Sequence, residues 1–110
     1  MKRIIAILAV GVVGLFAAGD VKNIEAYKMH CKICHGAAYK GAAMQTEAEW
    51  EELFKNKAAK LKAKHKDIPE AMQTMNQKRF DTDAERMLKF LKLNAEDSGA
   101  VRSCDGINCG

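Results

Sequence analysis

The sequence predicts an all-α fold. Three observations carry that prediction. Apolar residues recur at steps of three and four, two Thr-x-x-Glu helix-start signatures stand before such runs, and no stretch alternates as a strand does. Three to four helices account for the pattern.

The first helix starts at Asp20, whose carboxylate suits an N-cap. Ile24, Tyr27, Cys31 and Cys34 follow at steps of three, four and three and share a face. Gly36 supplies the stop, since glycine closes helices without a Cβ penalty. Residues 37–45 are small and read as a loop. A second helix opens at Thr46, where Thr46 and Glu49 form a capping box. Trp50, Leu53, Phe54, Ala58 and Leu61 make its apolar stripe, and Lys55, Lys57, Lys60, Lys62, Lys64 and Lys66 its opposite side. Pro69 breaks the pattern. Residues 69–80 hold Met72 and Met75 in a polar setting. A last helix opens at Asp81 or Thr82, with Thr82 and Glu85 as a second capping box. Ala84, Met87, Leu88 and Leu91 give its buried face, with Phe90 beside it. Residues 94–99 read as a linker.

The 110 residues suit one small domain. Residues 1–19 have the pattern of a secretory signal peptide. Lys2 and Arg3 precede an apolar run from Ile4 to Ala18, and small residues Ala17, Ala18 and Gly19 follow before the first acid, Asp20. That run is shorter than the roughly 20 residues a spanning helix needs. Removing it takes Lys2 and Arg3 away and lowers the formal charge from +4 to +2, too mild for a nucleic-acid binder. The expected division is a leader at 1–19, a domain at 20–94 and a tail at 95–110. About 90 mature residues bury limited apolar surface, and chains of that size commonly need a staple, a metal or a cofactor.

The motif Cys31-Lys32-Ile33-Cys34-His35 admits three chemistries. A thioredoxin-like dithiol belongs beside alternating strands and helices, and no strand is predicted. A structural zinc site wants four ligands in two pairs, and Cys104 and Cys109 are spaced more widely than a usual knuckle. Covalent haem attachment fits best. Thiols three apart lie on one side of a helix and can both reach one edge of a porphyrin, while the next residue turns its imidazole to the iron. One covalently bound haem c is therefore the expected cofactor, with Cys31 and Cys34 as anchors and His35 as axial ligand.

Together with Tyr27, four residues before Cys31, and a last helix near 82–93 after a methionine-bearing segment, this motif resembles the small single-haem bacterial class I cytochromes c. The resemblance covers about residues 20–94. It implies the small cytochrome c fold, a crossing of the first and last helices beside the haem, and a methionine as second axial ligand. Two departures stand out. Asn23 occupies the place of a glycine often found at the helix crossing. The proline often found a dozen residues past the haem histidine is missing, its region falling near Glu47.

Met75 is the expected sixth ligand, with Met72 as the alternative; both precede the last helix at a distance the family tolerates. Met44 and His65 rank behind them, and Met87 falls on the packed stripe. A thioether ligand favours Fe(II) and raises the reduction potential, whereas histidine would lower it. Trp50 and Phe54 are expected in the haem pocket or core, and Tyr27 against Phe90 or Leu91. With both axial positions filled the iron offers no site to a substrate, which argues against an enzyme. The expected function is a periplasmic one-electron carrier. Its partners are donor and acceptor proteins, with acidic surfaces docking on the lysine-rich helix. A haem-based ligand-binding or sensor module, and an electron-transfer subunit dedicated to one redox enzyme, are the alternatives. Cys104 and Cys109 are expected to close a local disulfide around Asp105-Gly106, a loop too short to stabilise the fold much.

Overall fold

The computed structural model describes residues 14–99, with side chains from Val21 onward. Most of the segment expected to be a leader, and Cys104 and Cys109, expected to pair, lie outside the described residues. Six helical segments follow in order: α1 Gly14–His30, α2 Lys32–His35, α3 Ala38–Ala42, α4 Glu47–His65, α5 Pro69–Met75 and α6 Phe80–Leu93. No strand occurs among the described residues, so the all-α expectation holds. The expected three to four helices become six: the segments read as loop and breaker are helical (α3 and α5), and the first helix, expected from an Asp20 cap to Gly36, contains Asp20 and is interrupted at Cys31 into α1 and α2. None of the described helices is long and apolar enough to cross a membrane.

α1 and α6 form the main packing pair, and α4 lies against α6. Tyr27 on α1 meets Phe90 on α6 with ring centroids 5.9 Å apart, and Tyr39 reaches the same ring at 5.6 Å. Tilted aromatic pairs at this spacing add to plain burial. Met87, Leu91 and Phe80 complete the α6 side of the core. The buried stripe of α6 is as the spacing predicts, but its start is not. The helix begins at Phe80, Arg79 is the cap residue without a side-chain bond, and Thr82 is exposed within the first turn. Thr82 and Glu85 therefore form no capping box.

α3 corrects the loop reading of residues 37–45. Ala38, Gly41 and Ala42 are buried, and a Cβ built on Gly41 would collide with the Tyr27 phenol. These residues are small because α3 lies directly on an aromatic ring. The Tyr27 hydroxyl donates to the Gly36 carbonyl at 3.1 Å, fixing the turn between α2 and α3. Gly36 itself has φ 77° and ψ −154°, a combination reserved for glycine.

α4 opens on its capping box. Thr46 Oγ1 accepts from the Glu49 amide and Glu49 Oε1 accepts from the Thr46 amide, both at 3.2 Å. The helix then breaks where the sequence shows no breaker. Lys55 is extended, and Asn56, Lys57 and Ala58 have φ of 54°, 55° and 58°. Left-handed backbone costs a non-glycine residue roughly 1–2 kcal/mol. The stretch separates two arms, residues 47–54 and 59–65. Pro69 starts α5 instead of merely ending α4, in keeping with its preference for the first helical turn. Residues 94–99 are no free linker. The Glu96 amide donates to the Gln45 carbonyl at 3.0 Å, and Asp97 accepts from the Glu47 amide at 2.9 Å, adding an acidic cap to α4.

Candidate functional site

One cavity of about 410 Å³ lies between the α1–α2 junction, both arms of α4 and α5. That is within the range of cofactor-binding pockets. Cys31, Cys34 and His35 all line it, so the fold brings the motif to a single void. The helix axis steps at Cys31, yet the His35 amide still donates to the Cys31 carbonyl at 2.9 Å. Cys31 and Cys34 thus remain one turn apart. Both are free thiols.

The two thiols differ in surroundings. Cys31 is half-buried, and its Sγ stands 3.7 Å from Met87 Sδ. Burial, and secondarily the charge of Cys34, push its pKa up to about 12. Cys34 and His35 are exposed at the cavity mouth. The walls are apolar. Trp50, Leu53 and Phe54 come from the first arm of α4, Leu61 from the second, and Met75 and Phe80 from the far side. Trp50 Nε1 donates to the Ala42 carbonyl at 2.8 Å, which satisfies its only donor within the protein. Around the mouth, Ile33 is 92% exposed, and Met29, Met44 and Ile68 are exposed too. Full burial of such a side chain is worth about 1.5–3 kcal/mol. A rim of this kind favours an apolar occupant.

The two predicted thioether candidates fall in different places. Met75 is buried and lines the cavity. Met72 packs on the core cluster and is not among the lining side chains. Met44 stands exposed on the rim, and Met87 is fully buried under Cys31. His65, ranked behind the methionines on sequence, is half-buried and lines the cavity. Its ring faces His35 with centroids 6.0 Å apart and planes at 82°. Its Nδ1 lies 2.7 Å from the Leu61 carbonyl.

Behind the motif is a polar cluster that periodicity could have flagged. His30 lies one helical step beyond Tyr27, and Asp83 one step before Met87, so both sit on buried stripes. His30 Nε2 donates to Asp83 Oδ2 at 2.8 Å, and the Thr74 hydroxyl is 2.6 Å from Nδ1. Arg79 Nε donates to the same carboxylate at 2.8 Å. Burial pushes the Asp83 carboxyl up, but the hydrogen bonds from His30 and Arg79 outweigh it and hold it below the usual range.

The residues present fit a haem better than a bare ion. Two thiols, Cys31 in the wall and Cys34 at the mouth of an apolar void, with the His35 imidazole beside Cys34, are a donor set that suits a covalently held porphyrin, which supplies four metal ligands of its own. Among the described residues no group of three or more His, Cys, Asp or Glu is placed to hold an ion unaided. The second cysteine pair of a zinc site would lie outside the described residues. No protein-family model, curated protein or solved structure matches the chain.

Proposed function

We propose that this protein carries one haem c and serves as a one-electron carrier in a periplasmic electron-transfer chain. One observation supports the reading above others: Cys31, Cys34 and His35 open together onto an apolar cavity with an exposed apolar rim. When bound, the group supplies a metal that cycles between two oxidation states. Cys31 and Cys34 would hold the group covalently, each S–H adding across one vinyl group, sulfur to one carbon and the proton to the other, with nothing released. His35 would hold the iron through its imidazole. Trp50, Leu53 and Phe54 exclude water from that side, which keeps the charge change in a medium of low polarity.

The docking partner we propose is acidic and meets the lysine-bearing side of α4. Lys60 and Lys55 hydrogen-bond to Glu52 and hold its carboxyl at about 2, so part of this charge is neutralised within the helix. Encounter with a partner then depends on the remaining charge and falls with salt.

Mass spectrometry of the exported protein tests the attachment. The expected result is a gain of one haem, lost in the Cys31→Ser/Cys34→Ser double variant. Exported protein with no added macrocycle would overturn the reading.

A further inference from the structure

We propose that His65, in place of Met75 or Met72, is the second axial ligand, giving the iron two imidazoles. The assignment rests on the haem reading above. Two imidazoles bound trans to one metal, each bond roughly 2 Å long and each nitrogen about 1 Å from its ring centre, place their centroids about 6 Å apart. His35 and His65 stand at 6.0 Å. Ordinary edge contacts between rings share this spacing, so the distance needs company, and the hydrogen bonding of His65 supplies it. A backbone carbonyl only accepts, so the 2.7 Å contact with Leu61 requires the proton on Nδ1. In the neutral ring Nε2 is then the unprotonated nitrogen. A metal-binding histidine characteristically donates its other N–H to a carbonyl in this way.

The path of α4 adds a third observation. Three consecutive left-handed residues, Asn56, Lys57 and Ala58, precede the arm that carries Leu61 and His65 to the cavity wall. Strain of this kind persists where the surroundings over-determine it, and here it begins the arm that ends, seven residues after Ala58, at the proposed ligand. Met75, only 8% exposed, belongs to the core cluster with Phe80 and serves as an apolar wall. A bis-imidazole iron lacks the thioether that raises the potential, so the carrier works lower on the potential scale than a histidine–methionine protein would.

The test uses the exported holoprotein after mass spectrometry has established the haem. Ferric electron paramagnetic resonance is expected to show a low-spin bis-imidazole signal of the strongly anisotropic type, as near-perpendicular rings require. The red thioether-to-iron band is expected to be absent. His65→Met should create that band and raise the midpoint potential, and His65→Ala should open the ferrous iron to rapid carbon monoxide binding. A thioether band in the unaltered protein that disappears in Met75→Leu would overturn the assignment while leaving the haem reading intact. A five-coordinate high-spin spectrum would overturn it too, and would favour a ligand-binding module. A protein without the macrocycle overturns both. The spectra of the unaltered protein decide the matter even where a variant fails to fold.

Discussion

Cys31 and Cys34 carry the same chemistry in unequal settings. Burial and the neighbouring Cys34 charge push the Cys31 thiol up to about 12, while Cys34 is exposed. In haem-free protein at pH 8, iodoacetamide should label Cys34 well before Cys31, as peptide mass mapping would show; equal rates would mean that Cys31 is not packed beneath the cavity. Tyr27 is also pushed up to about 12, by burial and then by the Cys31 charge. Both groups hold their protons more tightly folded than unfolded. Their contribution is complete below the ordinary values of 9.0 and 10.0 and is lost as pH rises toward 12. The urea midpoint of the haem-free protein should therefore fall across that alkaline window. The Cys31→Ala variant should show a shallower fall. Tyr27 also constrains Gly41, where added bulk meets the phenol ring. Gly41→Ala should cost about 1–3 kcal/mol in denaturant unfolding, the usual penalty of overpacking; a neutral result would show that α3 does not rest on Tyr27.

At the scale of the element, two chemically identical helix-start signatures have different fates. Thr46 and Glu49 exchange both hydrogen bonds, whereas Thr82 lies exposed past a helix start at Phe80. Thr46→Ala should cost about 1 kcal/mol and Thr82→Ala close to nothing. Equal losses in thermal unfolding would contradict the observed start of α6. The difference shows where the sequence was legible. Capping boxes and apolar spacing reveal that helices exist, and they located α4 and α6; the first helix they misplaced, since Asp20 lies inside α1 and the helix is interrupted at Cys31 before Gly36. They do not show which start tertiary packing prefers, and at α6 burying Phe80 and Asp83 extends the helix past Thr82. The break in α4 was illegible for a related reason. Asn56, Lys57 and Ala58 carry no glycine or proline signal, and the stripe from Phe54 to Ala58 reads as unbroken helix. His65 was ranked behind the methionines as one histidine among lysines, although it stands four residues past Leu61 on the same apolar stripe. Lys57→Gly separates the two geometries. At φ 55° glycine relieves strain and should stabilise by about 1 kcal/mol. In a regular helix the same change would destabilise by about 1 kcal/mol.

Over the whole molecule, the polar cluster behind the motif links three elements that otherwise meet through apolar contacts. His30 ends α1, Thr74 belongs to α5 and Asp83 to α6, and their side chains form one hydrogen-bonded chain. The apolar α1–α6 contact tolerates small sliding, because dispersion is non-directional. A hydrogen-bonded chain does not, and it fixes where α1 ends against α6, hence where Cys31 begins. Its partners also set the pH response. The Asp83 carboxyl is held below the ordinary 3.8, so its contribution is present above that value and is lost as pH falls through the lower folded value. Asp83→Asn keeps the shape and removes the charge. Breaking a fully buried ion pair costs about 3–5 kcal/mol, and here Arg79 reaches solvent, so about 2 kcal/mol is expected at neutral pH. The gap between the variant and the parent should narrow in acid, where the parent's own carboxylate is protonated. Urea unfolding at several pH values measures both the size of the loss and its pH dependence. A loss that persists unchanged into acid would assign the Asp83 effect to packing and leave the cluster without an electrostatic part in positioning the motif.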